Sequence, residues 1–178
     1  GLSTGAADIF ANTGGVMEAA LRTAYEIVTG RQLPADNLHV APIEGLEGIK
    51  EAALKIEGTQ PAWSFLEGVE LRVAVSHGLG NTRRLLEKIR TGEAKYHFVE
   101  VMTCPGGCIG GGGQPRFTDD SVRLKRIGAI YAEDESKKLR KSHDNPAVQE
   151  LYREFLEKPL GHKSHALLHT RYHVRERR

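Results

Sequence analysis

The sequence has very few cysteines, and their placement excludes one large class of small proteins. Only two occur among the 178 residues, Cys104 and Cys108, and three residues separate them. Two cysteines this close together cannot build a disulfide framework across such a chain. Because no secretory signal is visible, the pair is more typical of metal ligands or redox groups.

Long apolar runs and a strong excess of one charge are also absent. No segment approaches the roughly 20 apolar residues that cross a bilayer, so we expect no membrane span. The formal net charge of +2 is too small to indicate a nucleic-acid partner. The chain opens with Gly1-Leu2-Ser3, without Met or a basic start. We therefore expect a cytoplasmic protein whose sequence begins here at a cut or an internal boundary.

Hydrophobic periodicity in the middle of the chain predicts a βαβ unit. Residues 71–76 form a short Val-rich strand pattern, 81–93 an amphipathic helix pattern, and 96–102 a second strand pattern. A strand, a helix and a strand in close succession predict a parallel sheet. Ligands of such sheets bind at the carboxyl ends of the strands, which is where the loop after Met102 begins.

The first third of the chain is less regular. Helical spacing predicts a helix over 16–28, with Thr13 as its N-cap and Gly30 as its C-terminal stop. Residues 38–43 are consistent with a strand, and 49–56 fit either a helix or a strand.

The last third is predicted to be helical over 120–141, 145–156 and 165–169, and Asn145-Pro146 is a typical helix start. The fold class expected from these patterns is α/β, a small and mostly parallel sheet flanked by helices with a helical C-terminal part.

The loop that holds both cysteines is rich in glycine. Six glycines flank the pair, in the order Thr103-Cys104-Pro105-Gly106-Gly107-Cys108-Ile109-Gly110-Gly111-Gly112-Gly113-Gln114-Pro115. Thiolates are good ligands for iron and for iron–sulfur clusters. Glycine permits positive φ angles and lets backbone N–H groups approach cluster sulfurs without a Cβ in the way.

Three other interpretations of this loop remain open. Two buried structural cysteines would not need the glycines, a phosphate loop would carry Gly-Lys-Ser/Thr, and a redox dithiol is usually Cys-x-x-Cys. A metal site is favoured, but two thiolates complete neither a tetrahedral zinc site nor a cubane, so further ligands must come from outside the loop.

Four histidines near the C-terminus are the other candidate ligands: His162, His165, His169 and His173. Their spacing would suit a metal-binding helix face. Leu167 and Leu168 between them favour packing or capping near a docked tail.

Residues 98–115 resemble the last of three cysteine motifs of the iron-only (FeFe) hydrogenases. The family pattern is Phe-x-Glu-x-Met-x-Cys-x-Gly-Gly-Cys-x-x-Gly-Gly-Gly-x-Pro, and every fixed position is met here. Further segments share the resemblance, which covers nearly the whole chain: 9–22, 45–52, 140–145, and 161–165 with 168–169.

The resemblance implies a cofactor and roles for four residues. The family joins a 4Fe–4S cubane to a two-iron unit that carries CO, cyanide and a bridging dithiolate, together called the H-cluster. Cys104 matches a ligand of the cubane alone, and Cys108 matches the cysteine that bridges the cubane to the two-iron unit. Met102 matches a side chain packed against that unit, and Phe10 a residue of the pocket wall. The implied reaction is the reversible reduction of protons to H2.

The resemblance also implies that half of the site lies elsewhere. The family's other cubane cysteines belong to two earlier motifs, which this sequence lacks. Residues 1–178 would then be the C-terminal lobe of a two-lobed domain, with an α/β part over 1–116, a cluster-binding loop over 102–115 and a helical part over 117–178. The upstream half would be in the same polypeptide or a separate chain, and this chain alone would be inactive.

The implied electron partners are ferredoxin or NAD(P)-linked redox subunits. One alternative is an iron–sulfur binding or assembly relative of the same fold without hydrogenase activity, against which Met102 and the complete glycine run argue. Another is a cluster-free fragment that docks onto a partner.

Overall fold

The structure is a computed structural model that describes residues 1–34 and 48–176. The predicted strand at 38–43 lies outside the described residues. The helices are α1 (Gly5–Asp8), α2 (Gly15–Thr29), α3 (Leu79–Arg90), α4 (Asp120–Ser136), α5 (Pro146–Leu151) and α6 (His162–Leu168). The strands are β1 (Ile49–Lys55), β2 (Glu70–His77) and β3 (Phe98–Met102). Within the described ranges, no helix is long and apolar enough to cross a membrane.

The strands form one sheet in the order β1-β2-β3. The predicted βαβ unit is confirmed, because β2 and β3 pair in parallel and α3 connects them. The α/β class is also confirmed, but the sheet is mixed rather than mostly parallel, since β1 pairs antiparallel with β2. Residues 56–69 connect these two strands and contain the short helical turn Pro61–Leu66. At the ends of this connection the Ile56 N–H donates to the Val69 carbonyl, which continues the antiparallel pairing by one position.

Helix α2 packs between the sheet and α4. One side contributes Met17 and Leu21 to a cluster with Val73 and Val75 of β2. A second cluster joins Ala6, Ile9 and Ala19 to Ile130 and Tyr131 of α4. The segment before α2 is thereby held in place at the end of the sheet where β2 and β3 finish.

The start of α2 differs from the prediction. Thr13 is not the N-cap. The cap is Gly14, which adopts φ 90° and has no side chain to offer the first turn. The free N–H groups of that turn are satisfied from β3 instead, where the carboxylate of Glu100 accepts hydrogen bonds from Gly14 and Met17. The predicted stop is confirmed, because Gly30 ends the helix at φ 70°.

A buried group of charges joins α2 to α4. Arg22 donates to both carboxylate oxygens of Asp134 at 2.8 Å and to Glu18 at 2.6 Å. Arg140 donates to Asp134 at 2.6 Å, and the hydroxyl of Tyr131 donates to Glu18 at 2.7 Å. Burial acts to raise the pKa of Asp134, but the hydrogen bonds from Arg22 and Arg140 outweigh it and hold that pKa below its ordinary value.

The C-terminal part is helical as predicted, but in shorter pieces. Helix α4 ends at Ser136, and α5 starts at the predicted cap, where the side chain of Asn145 accepts from the Ala147 N–H at 3.0 Å. A π-helical turn over Tyr152–Leu156 follows α5.

The prediction that the four C-terminal histidines pack or cap near a docked tail is confirmed only in part. His169 is the C-cap of α6, and its ring centroid lies 4.4 Å from that of His165. His162, His165, His169 and His173 are nevertheless all exposed, and the single buried residue of α6 is Ser164. So short a helix buries one position only, which leaves the other faces to solvent.

We expect Asp134→Asn to destabilise the chain by about 3 kcal/mol, because Arg22 would remain buried with half of its carboxylate partners neutralised. A carboxylate with a lowered pKa stabilises the fold above its unfolded pKa and loses that contribution as the pH falls. The difference between wild type and variant should therefore shrink below about pH 4 in thermal unfolding of the purified chain. The exposed pair of Glu87 and Arg90 provides the control, and Glu87→Gln should change the unfolding temperature little at any pH. Equal effects of the two substitutions would contradict the buried network.

Candidate metal centre

The cysteine loop leaves the sheet at the carboxyl edge that the sequence predicts. His77 and Met102 are register partners at the last positions of β2 and β3. The carbonyl of Met102 accepts from the Gly78 N–H at 2.9 Å, which continues the parallel ladder one step beyond β2. The loop therefore begins from a fixed point on the sheet.

The first cysteine opens a tight turn. The Gly107 N–H donates to the carbonyl of Cys104 at 3.0 Å, which closes a four-residue turn with Pro105 at its second position. The third position is Gly106, at φ 80°. A proline followed by a residue at positive φ is the signature of a type II turn, which accounts for the Pro-Gly pair between the cysteines.

This turn is held against the segment that leads into α2. The Thr13 N–H donates to the Gly106 carbonyl at 3.1 Å, and Asn12 forms an antiparallel bridge with Gly107. A Cβ on Gly107 would lie 2.7 Å from the carbonyl oxygen of Ala11 and 2.8 Å from the nitrogen of Thr13. Only glycine allows the two backbones to approach this closely, and Gly107 also sits at φ 88°.

The second cysteine begins a single helical turn, Cys108–Gly110, in which Ile109 is buried. Arg126 of α4 donates to the carbonyl of Ile109 at 2.6 Å, so the helical C-terminal part also fixes the loop. A Cβ on Gly111 would lie 3.2 Å from the sulfur of Cys104, so glycine there leaves the thiol uncrowded.

The two cysteines fit half of an iron–sulfur site. Both are free thiols, Cys104 half-buried and Cys108 exposed. Thiolates are the usual ligands of iron–sulfur clusters, and the glycines around them leave room for an inorganic group. Across 1–34 and 48–176, no group of three or more His, Cys, Asp or Glu residues is placed to hold a metal ion. The donor chemistry of the two thiols therefore fits an iron–sulfur group.

The predicted pocket residues lie on two different elements. Met102 is half-buried at the end of β3. Phe10 belongs to the short helical turn Ile9–Ala11 and is 46% exposed. The bridge between Asn12 and Gly107 brings that turn to the cysteine loop. Both residues therefore belong to backbone that lies beside the loop.

Three buried polar residues at the site receive no role in the sequence analysis. Glu100 lies in the middle of an apolar strand, which is a signal for a buried charge with a fixed partner. Burial raises its pKa, against the opposing effect of the N–H groups of Gly14 and Met17. His77 is buried and its Nδ1 accepts from the Gly106 N–H at 3.1 Å. Asn12 is fully buried, and its amide has no hydrogen-bond partner among the described residues.

Two family matches divide the chain. The family described as iron only hydrogenase large subunit, C-terminal domain, matches residues 1–112. The family described as iron hydrogenase small subunit matches residues 120–175.

Individual proteins agree with these families. The chain is 51% identical to the NADP-reducing hydrogenase subunit HndD of Solidesulfovibrio fructosivorans over 99% of its own length and 28% of that protein. It is 33% identical to the cytosolic iron-sulfur assembly component 3 of Rattus norvegicus, over 93% of this chain and 32% of that one. A solved structure of a variant of the [FeFe]-hydrogenase HydA1 from Chlamydomonas reinhardtii superposes with a TM-score of 0.75 at 47% identity. That match covers 92% of this chain and 45% of the other. The chain thus spans about a third or less of these two curated relatives.

We expect Gly107→Ala to lower the unfolding temperature of the chain markedly, with a loss of at least about 2 kcal/mol, because a left-handed alanine is strained and its Cβ would overlap the backbone of 11–13. Gly112 is the matched control in the same loop, since a Cβ there would meet no atom within 4 Å. Thermal unfolding of Gly107→Ala and Gly112→Ala, followed by circular dichroism, makes the comparison. Equal stability of the two variants would show that the loop does not dock on this segment as described.

Proposed function

Because the chain belongs to the iron-only hydrogenase family, we propose that it forms the C-terminal lobe of an H-cluster domain that catalyses the reversible reduction of protons to H2. The observation that carries the proposal is the cysteine loop. Two free thiols stand on a glycine-rich turn at the carboxyl edge of a βαβ unit, and 51% identity to a hydrogenase subunit extends over almost the whole chain.

Cys104 and Cys108 would hold this lobe's share of a 4Fe–4S cubane, and Cys108 would also bridge to a two-iron unit with CO, cyanide and dithiolate ligands. When bound, that cluster would supply the redox-active iron at which electrons from the redox partner reduce protons. The two thiolates, fixed by the cysteine turn, would orient the cluster. In this proposal Met102 packs beside the two-iron unit and Phe10 forms part of the pocket wall.

The remaining ligands would come from an upstream half of the domain, in the same polypeptide or in a separate chain. Two considerations support this. The chain spans 45% of the HydA1 chain that it matches, and its two thiols are half of what a cubane needs. By itself the chain would therefore bind iron weakly and produce no H2. Its electron partners would be ferredoxin or NAD(P)-linked subunits, and the similarity to an NADP-reducing hydrogenase subunit supports the second of these.

The lobe itself would consist of an α/β part over 1–116 and a helical part over 117–178. The two family matches support this division, because one ends at 112 and the other begins at 120. The intervening residues Gln114, Pro115, Arg116 and Phe117 are exposed. A cytoplasmic location is part of the same proposal.

The second candidate function is iron–sulfur binding or assembly without hydrogenase activity, which the 33% identity to an assembly component favours. Hydrogen evolution by the assembled domain, this lobe with its upstream half, distinguishes the two. Turnover with a reduced mediator supports the hydrogenase. A protein that carries a cubane but neither evolves H2 nor shows infrared bands of metal-bound CO and cyanide would be an assembly relative.

Substitution of the two cysteines should separate their roles in the assembled domain. We expect Cys108→Ala to lose the infrared bands of metal-bound CO and cyanide, or to detach the two-iron unit from the cubane, because Cys108 is the proposed bridge. Cys104→Ala should act mainly on the cubane and lower its iron content. Iron analysis and infrared spectroscopy of both variants make the measurement. Normal bands and turnover in Cys108→Ala would contradict the proposed bridge.

The two methionines of the chain offer a test of the pocket. Met17 is fully buried between α2 and the sheet, so Met17→Leu should lower the free energy of unfolding by less than about 1.5 kcal/mol and leave hydrogen turnover unchanged. Met102→Leu should also leave the unfolding temperature and the iron content nearly unchanged, but it should lower turnover, because the thioether is proposed to contact the two-iron unit. Thermal unfolding, iron content and H2 evolution are measured on both variants. Unchanged turnover in a stable, fully loaded Met102→Leu variant would make Met102 an ordinary core residue.

A further inference from the structure

We propose that His77 is a positioning residue that sets the conformation of the turn between the two cysteines by accepting a hydrogen bond from the Gly106 N–H. The inference rests on the proposed function, because it concerns the geometry in which Cys104 and Cys108 meet a cluster. His77 is 5% exposed, and its Nδ1 lies 3.1 Å from the nitrogen of Gly106.

The position of His77 on the sheet explains how it reaches the turn. Side chains alternate along a strand, so His77 lies on the same face as Val73 and Val75, the face that packs against α2. Its neighbour across the parallel ladder is Met102, the residue from which the loop departs. The backbone of His77 is fixed at both ends, since its N–H donates to Gly48 and its carbonyl accepts from the side chain of Asn81 at 2.8 Å.

The hydrogen bond specifies one tautomer of the imidazole. Because a backbone N–H can only donate, Nδ1 must carry a lone pair, and the proton of the neutral ring lies on Nε2. The required group is therefore an acceptor at the Nδ1 position. The side-chain oxygen of Asn can occupy that position, whereas a Leu side chain offers no acceptor.

The N–H that His77 binds belongs to the peptide that defines the turn. The peptide between Pro105 and Gly106 is the central one of the turn, and its orientation distinguishes a type II from a type I conformation. With Gly106 at φ 80°, the turn is of the second type. Glycine can adopt either conformation, so the sequence of the turn alone does not hold the peptide in place. The acceptor that holds the peptide is Nδ1 of His77, which binds the Gly106 N–H.

The carbonyl oxygen of the same peptide lies on its opposite side. A Cβ on Gly110 would lie 2.4 Å from the carbonyl oxygen of Pro105, so this oxygen points toward the helical turn that Cys108 begins. A rotation of the peptide would move the oxygen away from Gly110 and reorient the Gly106 N–H within the turn that joins Cys104 to Cys108. His77 thereby acts on the backbone between the two thiols, without being a ligand itself.

A second histidine of the chain is a matched control. The Nδ1 of His97 accepts from the backbone N–H of Arg72 at 3.0 Å, which is the same kind of hydrogen bond at the opposite edge of β2 and β3. His97 is exposed and remote in the fold from the cysteine loop. A substitution there removes a hydrogen bond of the same chemistry without acting on the turn.

The test compares His77→Leu, His77→Asn and His97→Leu in the assembled domain. In the cluster-free protein, we expect amide hydrogen exchange in residues 103–110 to be about tenfold faster in His77→Leu than in wild type, and unchanged in His77→Asn and His97→Leu. In the protein loaded with the cubane alone, His77→Leu should change the electron paramagnetic resonance spectrum of the reduced cubane, and His77→Asn should restore the wild-type spectrum.

The two readouts keep the proposals apart. His77 does not position the turn if His77→Leu has the amide exchange rates and the electron paramagnetic resonance spectrum of wild type. The same conclusion follows if His77→Asn changes both readouts as strongly as His77→Leu does. If wild type takes up no cubane, the proposed function fails, and hydrogen exchange in the cluster-free protein still decides whether His77 holds the Gly106 amide.

Discussion

The placement of the cysteine loop depends on the carboxylate of Glu100 at the start of α2. Its two oxygens lie 2.6 Å from the nitrogen of Gly14 and 2.7 Å from that of Met17, and they join residues more than eighty positions apart in sequence. A carboxylate at a helix N-terminus combines hydrogen bonds to free N–H groups with a favourable interaction with the helix dipole. This contact fixes the end of β3 relative to the segment before α2. The cysteine turn then rests on that same segment, through the bridge between Asn12 and Gly107.

The backbone of the loop is consequently held by hydrogen bonds from three elements. The Thr13 N–H of the segment before α2 donates to the Gly106 carbonyl, the side chain of His77 accepts from the Gly106 N–H, and the side chain of Arg126 donates to the carbonyl of Ile109. A loop of so many glycines has a large conformational entropy when it is free, and such contacts must offset it. Glycine is nevertheless required, because Gly107 meets backbone atoms that leave no space for a Cβ. Glycine thus allows the loop to approach the backbone of residues 11–13, and the contacts with neighbouring elements restrict its conformation.

The features that local patterns specify could be predicted from the sequence. The βαβ unit follows from periodicity, Gly30 ends α2, and Asn145 caps α5, since each is decided within a few residues of chain. The pairing direction of β1 could not be predicted, because a short apolar run does not specify its partner. The sequence predicts Thr13 as the N-cap of α2, but the N-cap residue is Gly14, and the carboxylate of Glu100 accepts the hydrogen bonds of the helix start. Glu100 is too far away in sequence for a local rule to predict this. The C-terminal histidines were expected to pack, and the short α6 leaves them exposed.

The same distinction applies to the site. The motif over 98–115 predicts the kind of chemistry, because thiolates among glycines suit an iron–sulfur group. It does not predict His77, which lies on another strand and reaches the loop only when β2 and β3 pair in parallel. The chain is similar both to a hydrogenase subunit and to an iron–sulfur assembly component, so this similarity alone does not separate the two functions. The difference must lie in what surrounds them, and the surroundings are built by the pairing of β2 with β3 and the docking of α2. In the proposed function, Met102 and His77, at the last positions of that pair, would be the residues through which the fold acts on the chemistry of the loop.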